Sequence, residues 1–201
     1  MRVPQPIVLD GRHVRLEPLG KEHRADIEAA VAEDPDALRL GALLLVMEGW
    51  EPWFAEARDG VAAGTYVTWA TVDRSTGRAV GSTRFGDIDL PSERLEIGWT
   101  WLAPSHWRTA LNTEAKLLQL RYAFEGLGAG RVALKTDARN ARSQAAIERI
   151  GGVREGTLRR HLRMPDGFIR DSVYFSILAD EWPRVRDRLE ERLAAHADQG
   201  S

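Results

Sequence analysis

The chain has 201 residues, 43% apolar and 29% charged, enough for one globular domain with a sizeable core and no composition break to suggest a second. Its 28 basic and 30 acidic side chains leave a net charge of −2 and form no block of one sign, which argues against nucleic acid or an anionic membrane as partner. The absence of cysteine excludes a disulfide framework, a thiol nucleophile and thiolate metal sites, and it fits a reducing, cytoplasmic setting.

The opening stretch "MRVPQPIVLDGRHVRL" lacks the apolar core of a signal peptide. "HVRLEPL" (His13–Leu19) alternates and predicts a first strand. "KEHRADIEAAVAE" predicts a helix that Asp34-Pro35 ends. The most apolar run, Leu38–Trp50, is interrupted by Arg39 and falls short of the roughly 20 residues that span a bilayer. It reads as a buried or pocket-lining helix, continued by "WEPWFAEARDGVAAG" up to Gly64. "TYVTWATVD", a turn at Arg74–Gly77 and "RAVGSTRFGDIDL" predict a two-stranded meander. "ERLEIGWTWL" (Glu93–Leu102) is then a fourth strand. Strict alternation places Leu95, Ile97, Trp99 and Trp101 on one face and Glu96, Gly98 and Thr100 on the other.

Next comes "HWRTALNTEAKLLQLRYAFEGLG", a compact turn followed by a helix. Its apolar stripes, Leu111, Ala115, Leu118, Tyr122 and Leu117, Leu120, Phe124, Leu127, suit a helix laid flat on a sheet. Gly126 and Gly128 stop it. "RVALKTD" (Arg131–Asp137) is a short strand, and "ARSQAAIERI" a helix with Asn140 as N-cap and Gly151 as its stop. A hairpin turns at Pro165-Asp166-Gly167, and a last helix carries Trp182, Val185, Leu189 and Leu193 on one face. The order predicts an α+β fold: a mixed, mostly antiparallel sheet with one right-handed parallel βαβ crossover. A ligand is expected where the parallel strands' carboxyl ends meet the helix N-terminus.

The stretch "NTEAKLLQLRYAFEGLGAGRVALKTDARNARSQAAIERIGGVREGTLRRH" resembles the GNAT N-acetyltransferase superfamily, within it the branch of ribosomal-protein N-terminal (alanine or serine) acetyltransferases. The resemblance runs from "GRHVRLEPL" to "DEW". It implies helices on both faces of a sheet whose central strands splay apart, with acetyl-CoA as acyl donor. Pantetheine is then expected along the fourth strand at Trp101 and Leu102. Pyrophosphate is expected at Trp107, Arg108, Thr109, Ala110, Leu111 and Asn112, aligned with the family's Arg/Gln-x-x-Gly-x-Gly/Ala cradle, and at Thr113 beside it. Both small positions are altered here, to Ala110 and Asn112. Alanine adds one methyl group, and asparagine can cap the helix or donate an amide hydrogen bond.

Asn140 and Ser143 match the family's Asn-x-x-Ser, which implies that Asn140 contacts the cofactor and Ser143 protonates the departing thiolate. Both residues are also ordinary in a capped first turn. The tyrosine many relatives use as acid is missing, Ile147 and Ile150 standing in its region. Glu96 matches the general-base glutamate of several relatives; paired with Arg84 or Arg94 it would instead be structural. For the acceptor, Trp50 and Trp53, with Phe54, occupy the family's variable wall, though aromatics at helical spacing are commonly core. Asp171 either receives a cationic amine or pairs with Arg159 or Arg160. The five scattered histidines have no ligand spacing, so no metal is expected. The expected reaction is acetyl transfer to a protein N-terminus or, alternatively, to a small amine. A CoA-binding module without catalysis and a homodimer stay open.

Overall fold

The computed structural model describes residues 1–198; the last three positions of the expected 1–201 domain lie outside the described residues. A two-residue strand that sequence reading missed, β1 (Leu9–Asp10), pairs with β2 (Val14–Pro18). Helices α1 (Arg24–Ala32), α2 (Pro35–Leu38), α3 (Leu43–Glu48) and α4 (Trp50–Ala62) follow. The apolar run is therefore broken rather than continuous. Gly49, at φ +81°, turns the chain between α3 and α4. Leu38, Leu43 and Leu45 face inward, while Leu40 and Met47 are exposed.

Strands β3 (Val67–Asp73), β4 (Arg78–Asp89) and β5 (Arg94–Leu102) form the central antiparallel sheet. The connection leads through α5 (Ala110–Arg121), extended by one wider turn to Gly126, into β6 (Arg131–Asp137). Then come α6 (Ala141–Arg149), β7 (Val153–Arg163), β8 (Ile169–Leu178) and α7 (Trp182–Asp198). The order across the eight-stranded sheet is β1-β2-β3-β4-β5-β6-β8-β7, and β5–β6 is its parallel pair. Among the described residues no helix is long and apolar enough to cross a membrane.

Two features of this sheet position everything else. The β5–β6 ladder pairs Arg94, Leu95 and Glu96 with Arg131, Val132 and Ala133 and goes no further, although both strands continue. Beyond Glu96 the strands part, and the β6-facing backbone of β5 is left without a ladder partner. The second feature is a bulge. Gly98 pairs with Arg84 and Trp101 with Ser82, so Trp99 and Thr100 together oppose Thr83, with Trp99 at φ +51°.

The bulge corrects the strict alternation read from the sequence. Up to Gly98 it holds, with Ile97 on the α5 side beside Phe85. Trp99 then falls on the same face as Glu96: a Cβ added to Gly86, the partner of Glu96, would meet the Trp99 ring at 2.6 Å. Trp101 joins that face, edge-on to Trp53 of α4 at 6.5 Å. Thr100 points the other way, to Lys116 of α5. One inserted residue thus sends both tryptophans to the opposite side of the sheet.

On the α5 side the core is built around Trp69, Phe85 and Tyr122, with Trp69 and Phe85 edge-on at 4.9 Å. The buried Glu114 carboxylate of α5 accepts the backbone N–H groups of Arg12 (2.8 Å), His13 (2.6 Å) and Val14 (2.8 Å). It thereby ties the helix to the turn between β1 and β2. Gly11 is needed there, because a Cβ would come within 2.6 Å of that carboxylate.

Candidate active site

Glu96 stands at the last rung of the β5–β6 ladder, 2% exposed, on the α4 side. Its Oε2 accepts from Lys135 Nζ of β6 at 2.6 Å. Neither Arg84 nor Arg94 is its partner: Arg94 pairs with Asp89 at 3.0 Å and Arg84 with Glu56 at 2.9 Å. The lysine also reaches Asp87 at 3.3 Å and lies 5.8 Å from the Trp99 ring centroid and 5.9 Å from that of Tyr174. Burial pushes the Glu96 carboxyl up to about 7; the Lys135 ammonium pulls the other way, and Asp87 adds to the rise. A carboxyl near 7 has the basicity to accept a proton at neutral pH.

Arg84, fully buried, forms the floor beside the bulge. Its guanidinium carbon lies 5.2 Å from the Tyr66 ring and 5.8 Å from those of Trp53 and Trp99, and its Nε and Nη2 have no partner. Of the two tryptophans of α4, both buried, Trp53 touches Arg84 while Trp50 stacks on Phe54 at 4.8 Å. Asp171 pairs with no arginine side chain; its Oδ1 accepts the backbone N–H of Arg160 at 2.6 Å, where β7 bulges and Arg160 takes φ +49°. From the same hairpin His161 contacts Ser172 (3.0 Å) and the Tyr174 hydroxyl (3.3 Å), and burial lowers its pKa.

The turn before α5 is tightly built. Trp107 Nε1 donates to the Leu102 carbonyl at 2.8 Å, so the end of β5 and the turn are locked together. Arg108 adopts φ +65° and is exposed. Thr109 is the N-cap, its Oγ1 accepting from Leu111 N at 3.3 Å. Asn112 is therefore not the cap. It lies half-buried in the first turn beside the buried Ala110, Leu111 and Thr113.

Asn140 caps α6, its Oδ1 accepting from Ser143 N at 3.0 Å. The turn before α5 and the first turn of α6 meet: the Arg142 guanidinium stacks 3.4 Å over the Trp107 ring, so the two motifs, some thirty residues apart in sequence, touch in space. Sequence reading missed Lys135, Asp87 and Tyr174, and named Arg84 only as a partner for Glu96. For Lys135 the signal was there, since alternation along "RVALKTD" puts Lys135 on the same side as Arg131 and Ala133. No group of residues suited to a metal occurs among the described residues.

Comparison with known proteins agrees with this fold. Residues 13–153 match the family model described as the acetyltransferase (GNAT) domain. A Bacillus subtilis (strain 168) protein provisionally named ribosomal N-acetyltransferase YdaF is 31% identical over 137 residues, which are 68% of this chain and 69% of that protein. A solved GCN5-related N-acetyltransferase from Brucella melitensis is 29% identical and superposes with a TM-score of 0.83, covering 95% of this chain and 87% of that one. Mycobacterium smegmatis RimJ, solved in complex with CoA-disulfide, shares the fold at 21% identity and a TM-score of 0.79, over 96% of this chain and 97% of its own. The chain belongs to the GNAT family of N-acetyltransferases.

Proposed function

We propose that this acetyltransferase moves the acetyl group of acetyl-CoA to a protein N-terminal α-amine, by direct attack and with Glu96 as the base. The observation that carries the reading is the buried, high-pKa Glu96 carboxyl at the point where β5 and β6 part. The fit to the donor rests on this chain's own groups. The unpaired edge of β5 offers N–H and C=O groups to pantetheine amides near Trp101 and Leu102. The N-terminus of α5 offers backbone N–H groups and a positive dipole end to the pyrophosphate, with Arg108 adding charge. Asn140 and Ser143 lie at the start of α6, whose first turn meets the turn before α5.

In this reading Glu96 takes a proton from the acceptor ammonium, directly or through water, and frees the nitrogen lone pair. The amine attacks the thioester carbonyl, whose oxygen gains charge opposite the N–H groups of β5 near Trp101. The C–N bond forms, the C–S bond breaks, and the thiolate takes up a proton from Ser143 or solvent. Trp53, Arg84 and Asp171 belong to the acceptor side, Trp50 acting only as support for Trp53. The preference for a protein N-terminus is supported by the name of the Bacillus subtilis relative. Purified protein given acetyl-CoA with N-terminal peptides and with small amines, read by mass spectrometry, tests it. Acetylated peptides support the proposal; acetylated small amines alone move the acceptor class, and no acetylated product overturns the reaction.

A further inference from the structure

The other side of the same bulge carries a lysine for which the proposed reaction has no use. Lys116, in the middle of α5, is 4% exposed and has no carboxylate partner. Its Nζ donates to Thr83 Oγ1 at 3.0 Å, Thr100 Oγ1 at 2.7 Å and Gln119 Oε1 at 2.8 Å. An ammonium has three protons, and all three find acceptors here. The acceptors are not scattered. Thr83 is the β4 residue opposite the bulge, and Thr100 is one of the two residues bulged against it; their hydroxyls also meet each other at 2.7 Å. Gln119 presents its Oε1 to both Lys116 and Thr83 while its Nε2 is left without a partner.

As space filling, a lysine is a poor choice for this position. Removing an ammonium from water costs several kcal/mol, and without an opposite charge little of that is recovered. Burial alone pushes the Lys116 amine down to about 7. A methionine of similar length would fill the volume without the penalty. What methionine cannot do is hold two threonine hydroxyls, one on each side of an irregular rung. That rung needs holding, because Trp99 sits at a positive φ that a tryptophan adopts only when its surroundings impose it.

We propose that Lys116 is a positioning residue: by clamping Thr83 to Thr100 it fixes the bulge at Trp99, and so the direction of the β5 N–H groups at Thr100 and Trp101. The inference rests on the proposed reaction for its catalytic consequence, but the clamp itself is a structural claim. Lys116 belongs to the helix whose first turn is assigned to the pyrophosphate. One rigid element therefore sets both where the cofactor is anchored and how the strand beneath its thioester is shaped.

The test compares Lys116→Met and Thr100→Val with the wild-type chain. Lys116→Met is expected to melt at the same or a higher temperature and to bind CoA with unchanged affinity. Amide hydrogen exchange at Trp99, Thr100 and Trp101 should nevertheless speed up. In turnover, kcat should fall by about 100-fold with KM for acetyl-CoA unchanged, as for a small misplacement of a reacting group. Thr100→Val should show the same split, and the double variant should be no worse than either single one. The exchange result stands whether or not an acceptor has been found, so a wild-type chain that acetylates nothing defeats the reaction and not the clamp. Unchanged exchange at the bulge in Lys116→Met, or wild-type kcat in an active enzyme, overturns the proposal. So does a lower melting temperature with CoA affinity lost in step, which would make Lys116 a residue of the fold alone.

Discussion

Lys135 holds its ammonium 2.6 Å from the Glu96 carboxylate and 3.3 Å from that of Asp87, between the rings of Trp99 and Tyr174. The lysine occupies Oε2 of Glu96 and leaves Oε1 as the oxygen the proposed acceptor ammonium would meet. Asp87 is the alternative partner to which the lysine can move.

This geometry sets the pH dependence of the proposed base. Lys135 lowers the Glu96 pKa, and Asp87 raises it. Lys135→Met is therefore expected to move the acidic limb of the kcat/KM profile above its wild-type position near pH 7, and Asp87→Asn to move it below. Glu96→Gln should cost at least about 100-fold in kcat with CoA affinity unchanged, partly restored at high pH, where solution deprotonates the amine. Full turnover of Glu96→Gln at neutral pH would place the base elsewhere.

Glu96 and Lys116 shape stability against pH, in opposite directions and different windows. Folded Glu96 titrates near 7 and unfolded near 4.5, so between those values the folded state binds more protons. Its contribution is present below pH 4.5 and lost as pH rises through 7. Folded Lys116 titrates near 7 and unfolded near 10.5, so between those values the unfolded state binds more protons and stability climbs with pH. Denaturant unfolding of Lys116→Met should lose the alkaline climb and keep the acidic fall; Glu96→Gln should do the reverse. A Lys116→Met profile identical to wild type would mean the lysine is not desolvated in solution.

Glu114→Ala is the structural counterpart. It leaves the N–H groups of Arg12, His13 and Val14 without their acceptor. The buried Val14 donor alone costs about 1–3 kcal/mol when orphaned and the two part-buried donors cost less, so a loss of about 3 kcal/mol is expected in urea unfolding. A loss below about 1 kcal/mol would mean that water replaces the carboxylate there.

What was legible in the sequence follows from how local each signal is. Alternation and helical spacing located β5, α5, β6 and α6, and the Asn140 cap lay where expected, because these patterns repeat within a few residues. The bulge was invisible, since nothing in "IGWTWL" marks an extra residue; only the register against β4 reveals it. Lys135, Asp87 and Glu96 come from three strands, and their meeting depends on pairings far apart in sequence. Of the two roles open to Asn112, cap or amide donor, the first is excluded because Thr109 supplies the capping oxygen. Trp50 and Trp53 share one helix face, and sequence alone could not tell that only Trp53 reaches Arg84 and Trp101.

Arg108 offers the sharpest test of the phosphate site. At φ +65° it occupies a backbone conformation that suits glycine and costs a side-chain-bearing residue about 1–2 kcal/mol. Its exposed guanidinium sits one residue before the cap of α5. Two substitutions separate strain from charge. Arg108→Gly removes both and Arg108→Ala removes only the charge, so the glycine variant should be the more stable of the two by about 1 kcal/mol. If the charge serves pyrophosphate, both should weaken CoA binding alike, with a gap to wild type that narrows as salt rises. Ala110→Gly should change affinity by less than about tenfold, because the buried Ala110 methyl is turned away from solvent and so from any ligand at the helix end. Calorimetry of CoA binding at low and high salt gives all three comparisons. Wild-type affinity in Arg108→Ala at low salt would count against a phosphate site at this turn, leaving the arginine's strained conformation to be explained by the lock between Trp107 and Leu102 alone.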